Sequence, residues 1–255
     1  MAILNKSQLI QQGVYYTPNV QQSVGSGATE TFTLQGYRGL QYGLNRILIG
    51  LDGGNLYDFE VTAKILYNQG TTILFSSITA DAIQNMFLAR SLRGPFIIDE
   101  QTNLEIDVKN TSGTSQVVNV EILGYADVQL QNLRAEYAAQ GKALPRPYLL
   151  GITITSIPAG TSNKQITVTL PRQFLRLYRM SIGSDAPNSL SVKIRQNTTY
   201  IKPQVLASQI NEEFKHMDII LPVQLDSRIP FQLFVDNLDT VNAHNISFFA
   251  ETYMV

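Results

Sequence analysis

A chain of 255 residues with 19 basic and 20 acidic side chains carries a formal charge of −1, which excludes a strong overall field drawing it onto nucleic acid or an anionic membrane. It has no cysteine and two histidines, His216 and His244, so disulfide staples, Cys/His catalysis and Cys-based zinc sites are excluded, and one chain cannot build a three-histidine metal site. Charged residues make up only 15% of the chain, which suits a surface largely covered by neighbours.

The start, "MAILNKSQLIQQGVYY", lacks the basic region and apolar run of a secretory signal, and the later chain shows no membrane-length apolar stretch. Synthesis in a cytoplasm is the expectation. Residues 1–27, ending in "GSG" (25–27), read as an N-terminal arm, with the glycines supplying flexibility.

Short runs rich in β-branched and aromatic residues follow: "TETFTLQ" (29–35), "RILIGL" (46–51), "LYDFEVTAKILY" (56–67), "TTILFSS" (71–77), "GPFIID" (94–99), "NLEIDVKN" (103–110) and "QVVNVEILGYADVQL" (116–130). Turn formers separate them, as in "LDGGN" (51–55) and "NTSGTS" (110–115), which is the pattern of antiparallel hairpins. Leu104, Ile106 and Val108 alternate with Glu105, Asp107 and Lys109, so this strand buries one face and wets the other. One segment departs from the strand pattern: "TADAIQNMFLARSL" (79–92) opens on Thr79 as a cap and spaces Ile83, Met86, Phe87 and Arg90 as a short amphipathic helix.

Between residues 130 and 160 the chain changes character. "LRAEYAAQ" has the length of two helical turns, Gly141 ends them, and "LPRPY" (144–148) is extended because a residue before proline avoids the helical region. Residues 131–158 therefore read as a connector.

Strands resume with "NKQITVTL" (163–170), "LYRMSIGS" (177–184), "LSVKIRQ" (190–196) and "TTYI" (198–201), then a helix-like "QVLASQINEEF" (204–214), then "MDIILPVQLD" (217–226), "IPFQLFVDN" (229–237) and "NISFFAETYMV" (245–255). This is the order of the first half again. Arg46 and Asp52 match Arg179 and Asp185 at one common offset, and Lys64 and Ile65 match Lys193 and Ile194 at a slightly smaller one. Thr71, Thr72, Ile83, Phe87, Asp99 and Asn110 match Thr198, Thr199, Ile210, Phe214, Asp226 and Asn237, all at a single offset that is smaller again. An offset that drifts at loops and then holds is what a duplication with loop trimming leaves. The fold expected is all-β: two tandem jelly-roll β-sandwich domains, each with a short inserted helix, at 28–130 and 159–255.

Chemistry is sparse in this sequence. His216 adjoins a predicted strand, His244 sits in a turn, and both read as bystanders; no P-loop, dinucleotide fingerprint or nucleophile elbow occurs. The site expectations are therefore no catalytic, cofactor-binding or metal residue. Asp52 and Asp185 stand at equivalent turns, where turn stabilisation is the simpler role and interfacial calcium the alternative. Arg90, Arg93, Arg134, Lys142 and Arg146 are a second candidate cluster, a basic patch near the helix and connector, set against the plainer reading of solvated surface.

The paired blocks 29–128 and 163–255, each with a helix, resemble the double jelly-roll major capsid proteins of tailless icosahedral viruses, and the short loops resemble the compact coats of small membrane-containing bacteriophages. The resemblance implies a non-enzymatic virion protein, assembled in the host cytoplasm, that forms homotrimers. Three chains of two barrels each would present six similar edges and tile a hexagonal lattice. Its implied partners are neighbouring capsomers and other virion proteins, with the arm and residues 130–150 reaching neighbours or an internal membrane, and without specific nucleic-acid recognition. Two alternatives share the fold: a minor virion or vertex protein, and a lectin-like carbohydrate binder using Tyr15, Tyr16, Tyr57, Tyr67, Tyr137 or Tyr148.

Overall fold

The computed structural model describes residues 14–16, 20–35, 38–88, 90–171, 174–216 and 223–254. Contacts divide the chain into two units, one within Met1–Ser76 and Arg90–Pro147, the other within Ser77–Ala89 and Tyr148–Val255.

The first unit has two antiparallel sheets. One runs in the order β1 (Val14–Tyr16) and β2 (Val20–Val24) against β9 (Gln116–Tyr125), then β4 (Tyr42–Leu51), then β7 (Phe96–Ile98). The other runs β3 (Thr29–Gln35), β8 (Thr102–Asn110), β5 (Phe59–Tyr67), β6 (Gly70–Thr79). The expected alternation in β8 is present: Leu104, Ile106 and Val108 are fully buried, while Glu105 and Asp107 reach the Lys64 ammonium on β5 at 3.1 and 2.9 Å. A helix, α2 (Asp127–Ala139), follows β9 and ends at Gly141, whose φ of 65° a residue with a Cβ rarely adopts.

The second unit repeats this order strand for strand. Its sheets are β10 (Pro147–Ile157), β17 (His244–Met254), β12 (Leu175–Ser184), β15 (Val223–Leu225), and β11 (Lys164–Val168), β16 (Phe231–Asn237), β13 (Leu190–Gln196), β14 (Thr199–Leu206). With β1 and β2 counted as two pieces of one strand, each unit joins its strands as 1-8-3-6 in one sheet and 2-7-4-5 in the other. That is the jelly-roll connection, and the molecule is a double jelly roll.

Three local features differ from the sequence reading. Residues 14–16 and 20–24, within the stretch read as an arm, pair with β9 as the first strand of the first unit, and residues 1–13 and 17–19 lie outside those described. Residues 147–157, read as connector, form β10, the matching strand of the second unit; alternating β-branched residues Ile152 to Ile157 suit a strand, and the prolines at 145 and 147 end only the preceding coil. The "GSG" stretch is a tight turn: Ala28 N–H donates to the Gly25 carbonyl at 3.0 Å with Gly27 at φ 70°, and Thr161 donates to Pro158 at 3.2 Å with Gly160 at φ 62°. The two turns stand as far apart in sequence as Arg46 and Arg179, so the duplication begins earlier than the strand matching suggests.

The predicted helices are α1 (Ala80–Phe87) and α3 (Ala207–His216). Thr79 takes the cap position with extended backbone, but its hydroxyl makes no cap bond, and α1 stops before the expected residues 88–92. Residues 204–206, expected to be helical, continue β14, an edge strand that tolerates Pro203 because its outward N–H has no ladder partner to lose. Both helices belong to the second unit. There α1 packs on β12, β17 and α3 and buries Ala82, Ile83, Met86 and Phe87.

Candidate functional site

Among the described residues no group of three His, Asp or Glu side chains, those around Asp52 and Asp185 included, is arranged to hold a metal ion. Asp52 is exposed, and its N–H donates to the Val117 carbonyl on β9 at 3.1 Å, next to the Leu51–Val118 pair that ends the β4–β9 ladder. Asp185 is occupied as an acceptor, from the Asn245 N–H at 3.0 Å and from His244 Nδ1 at 3.3 Å. The five basic residues all lie in the first unit. Arg134 donates to Gln41 at 2.7 Å and Lys142 to Gln140 at 3.2 Å, while Arg90, Arg93 and Arg146 are exposed. The chain at Gly94 runs so close to the Pro145 carbonyl that a Cβ there would lie 2.1 Å from it, which brings the backbone beside Arg93 against that beside Arg146. His216 ends α3, and its side chain lies outside the described residues, as do those of Tyr15 and Tyr16. Of the remaining tyrosines, Tyr148 packs on the core of the second unit and Tyr67 is 45% exposed.

What the fold positions instead is a set of repeated ties. Asn110 and Asn237 end β8 and β16 and are 0% and 2% exposed. The Asn110 amide donates to the carbonyls of Val24 (3.0 Å) and Thr114 (2.8 Å), and its oxygen accepts from the Ser112 N–H (2.8 Å). The Asn237 amide reaches the carbonyls of Ile157, Pro158 and Asn242 at 3.1, 3.1 and 2.9 Å, and its oxygen accepts from the Asp239 N–H at 3.0 Å. Val24 and Ile157 close the first strand of each unit. Each asparagine therefore joins the end of one sheet's first strand to the loop between the last two strands. The offset they share with the other matched pairs marks both in the sequence, but their burial does not show there.

The second unit also holds a buried ion pair. Arg179 on β12, 2% exposed, binds Glu251 on β17, 0% exposed. Tyr253 donates its hydroxyl to the other Glu251 oxygen, and Arg179 reaches the Met86 carbonyl at 3.4 Å, near the end of α1. Further along the helix Ser181 donates to the Ala82 carbonyl at 2.7 Å, Asn85 donates to the Ile182 carbonyl at 3.2 Å, and Asp81 accepts from the Ser184 N–H at 2.7 Å. Burial raises the Asp81 carboxyl above its ordinary range against the pull of these bonds. Gly183 leaves the room this helix needs, since a Cβ would lie 2.3 Å from both Asp81 Oδ1 and Thr79 Oγ1. A sequence reading misses this network because Arg179 and Glu251 look like ordinary charged residues within apolar strands. This polar network seats α1 beside the apolar core of the second unit.

On the surface, Ile73 on β6 and Tyr200 on β14 are 61% and 57% exposed and stand at the same offset as Asn110 and Asn237. Val128 on α2 is 61% exposed, and Leu238 and Val241, in the loop after β16, are 55% and 80% exposed.

These features define a duplicated β-sandwich of the double jelly-roll class. No protein-family model matches the chain, and no curated protein matches its sequence. Among solved structures it is similar to the major capsid protein P2 of bacteriophage PM2, with 12% identity, 95% of this chain and 97% of that chain covered and a TM-score of 0.48. It is also similar to a chain of Sulfolobus turreted icosahedral virus, with 12% identity, coverage of 94% and 90% and a TM-score of 0.47. A third, from an archaeal virus with a triple jelly-roll fold, has 10% identity, coverage of 92% and 60% and a TM-score of 0.24.

Proposed function

We propose that the protein is a structural major capsid protein whose trimers are pseudo-hexagonal capsomers of an icosahedral shell. The observation that carries this is the strand-for-strand repetition of one jelly roll in a single chain. A threefold ring of such chains offers six nearly equivalent outward faces, so one gene product meets six neighbours. The matching placement of an exposed apolar side chain, Ile73 in one unit and Tyr200 in the other, supports the same reading, because a partner that meets both units alike is itself built from them. Contact with a second copy of the chain is their assigned role. Residues 1–13, which fall outside the matched blocks of the sequence, and the exposed Val128 on α2 are assigned to contacts between capsomers or with an underlying membrane.

Electron microscopy of concentrated protein tests the assignment. Particles with a hexagonal outline that pack into sheets are expected. The double substitution I73E/Y200E should abolish the packing while leaving the circular dichroism spectrum intact. Sheets that form unchanged with both glutamates present would remove these residues from the interface.

A further inference from the structure

His244 opens β17, and its ring is held between two carboxylates. Nδ1 lies 3.3 Å from Asp185 Oδ2, in the turn after β12, and Nε2 lies 3.0 Å from Asp239 Oδ2, in the loop after β16. The side chain is 12% exposed. A neutral imidazole carries one N–H, so it can donate to only one of these acceptors, and its lone pair would then face the other carboxylate. The arrangement satisfies both oxygens only when both ring nitrogens are protonated. Each carboxylate meets a different ring nitrogen, so the trio does not converge on one point as metal ligands would.

We propose that His244 is a doubly donating latch that braces the loop of residues 238–243 against the turn of residues 185–189, beside the Leu238 N–H bond to the Ser189 carbonyl (2.8 Å) and the Asn237 ties, and that loss of its proton loosens the loop. Asp239 is the pivot. Besides His244 it accepts the N–H groups of Val241 (2.8 Å) and Asn242 (3.1 Å) and the Asn242 amide (3.0 Å), so it sets the course of the segment that exposes Leu238 and Val241. Asp185 anchors the other side through the Asn245 N–H. Among the described residues the charged groups hydrogen-bonded to the ring are these two, one from the turn after β12 and one from the loop after β16; its neighbours Asn242 and Asn245 do not titrate. The equivalent loop of the first unit, residues 111–115, is tied through Ser112 and Thr114 and holds no titratable side chain, so the latch belongs to one unit alone.

The balance of forces on the ring agrees with this geometry. Burial works against the charge, but the bonds to Asp239 and Asp185 outweigh it, and the His244 pKa is raised above 6.5. The Val241 and Asn242 donors, with His244 alongside them, hold the Asp239 carboxyl well below the usual carboxylate range. Because the folded pKa of the histidine is raised, the stabilisation is complete below pH 6.5 and is lost as pH climbs through the raised value.

Histidine C2–H exchange, read by mass spectrometry on the full chain in whatever oligomer it forms, gives the titration midpoint directly, and His216 is the only other histidine. Amide exchange of the peptide covering residues 238–243, divided by the intrinsic base-catalysed rate, follows the loop. His244 is expected to titrate above 6.5, and loop protection should fall several-fold through the same midpoint. The D185N variant, which keeps the ring in place, should lower that midpoint and shift the loss of protection with it. A midpoint at or below 6.5, or loop protection that is flat across it, overturns the latch. H244Q would be expected to lose loop protection at every pH. Should that variant fail to fold, the D185N titration still decides.

Discussion

Replacing Asn237 by alanine removes the tie that closes the second jelly roll. The side chain is 2% exposed, its two amide hydrogens serve three carbonyls at 2.9–3.1 Å, and its oxygen accepts the Asp239 N–H. Two hydrogens make two effective bonds, so three hydrogen bonds are lost in all. At about 1 kcal/mol net for each, the cost is about 3 kcal/mol, and it rises for any carbonyl left buried and dry. Asn237→Asp should cost at least as much, because it turns a carboxylate oxygen towards backbone carbonyls and forces either a buried charge or an uptake of a proton. The same reasoning applies to Asn110→Ala, whose amide serves Val24 and Thr114 and whose oxygen accepts from Ser112. The two units need not unfold together, so the assay is native-state hydrogen exchange resolved by peptide. Asn110→Ala should loosen β2 and β8, and Asn237→Ala should loosen β10 and β16. Losses under about 1 kcal/mol at both positions would refute the argument that these residues are structural equivalents that close the two units.

Further outcomes follow from the buried polar network and the helix it seats. R179M leaves Glu251 without its cation in the interior and should destabilise the second unit by about 3–5 kcal/mol in urea unfolding, whereas R179M/E251L removes both charges and should recover most of that loss. Gly183→Ala drives a Cβ against Asp81 and Thr79 and should cost about 1–3 kcal/mol and increase exchange in α1, while Gly50→Ala, whose nearest neighbour would be Asn119 at 3.6 Å, should be close to neutral in the same assay. Removing residues 2–12 should leave the mass of the oligomer unchanged and reduce the formation of sheets seen by electron microscopy; sheets of unchanged extent would withdraw the role assigned to that segment.

The duplication was legible because a buried strand face restricts its residues to a few types. Leu104, Ile106 and Val108 stand over Phe231, Leu233 and Val235 for that reason, and each set is buried in its own unit. Helix α1 was visible from the spacing of Ile83, Met86 and Phe87, but its partner was not. Its packing on β12 depends on Gly183 and Ser181, residues whose smallness has meaning only once α1 lies across them. The first strand of each unit was hidden for a different reason. In the first unit it comes as two short pieces, β1 and β2, each too brief to show an alternation, and in β10 flanking prolines gave the segment the look of coil. His244 read as a bystander because the two carboxylates that clamp it come from turns 59 and 5 residues away, and only the fold brings them to one ring.

The central claim is that two jelly rolls in one chain serve a threefold capsomer, and the mass of the purified protein in solution tests it most directly. Light scattering coupled to size exclusion should give a species of three times 28.4 kDa that persists on dilution. A strict monomer at high concentration would contradict the account.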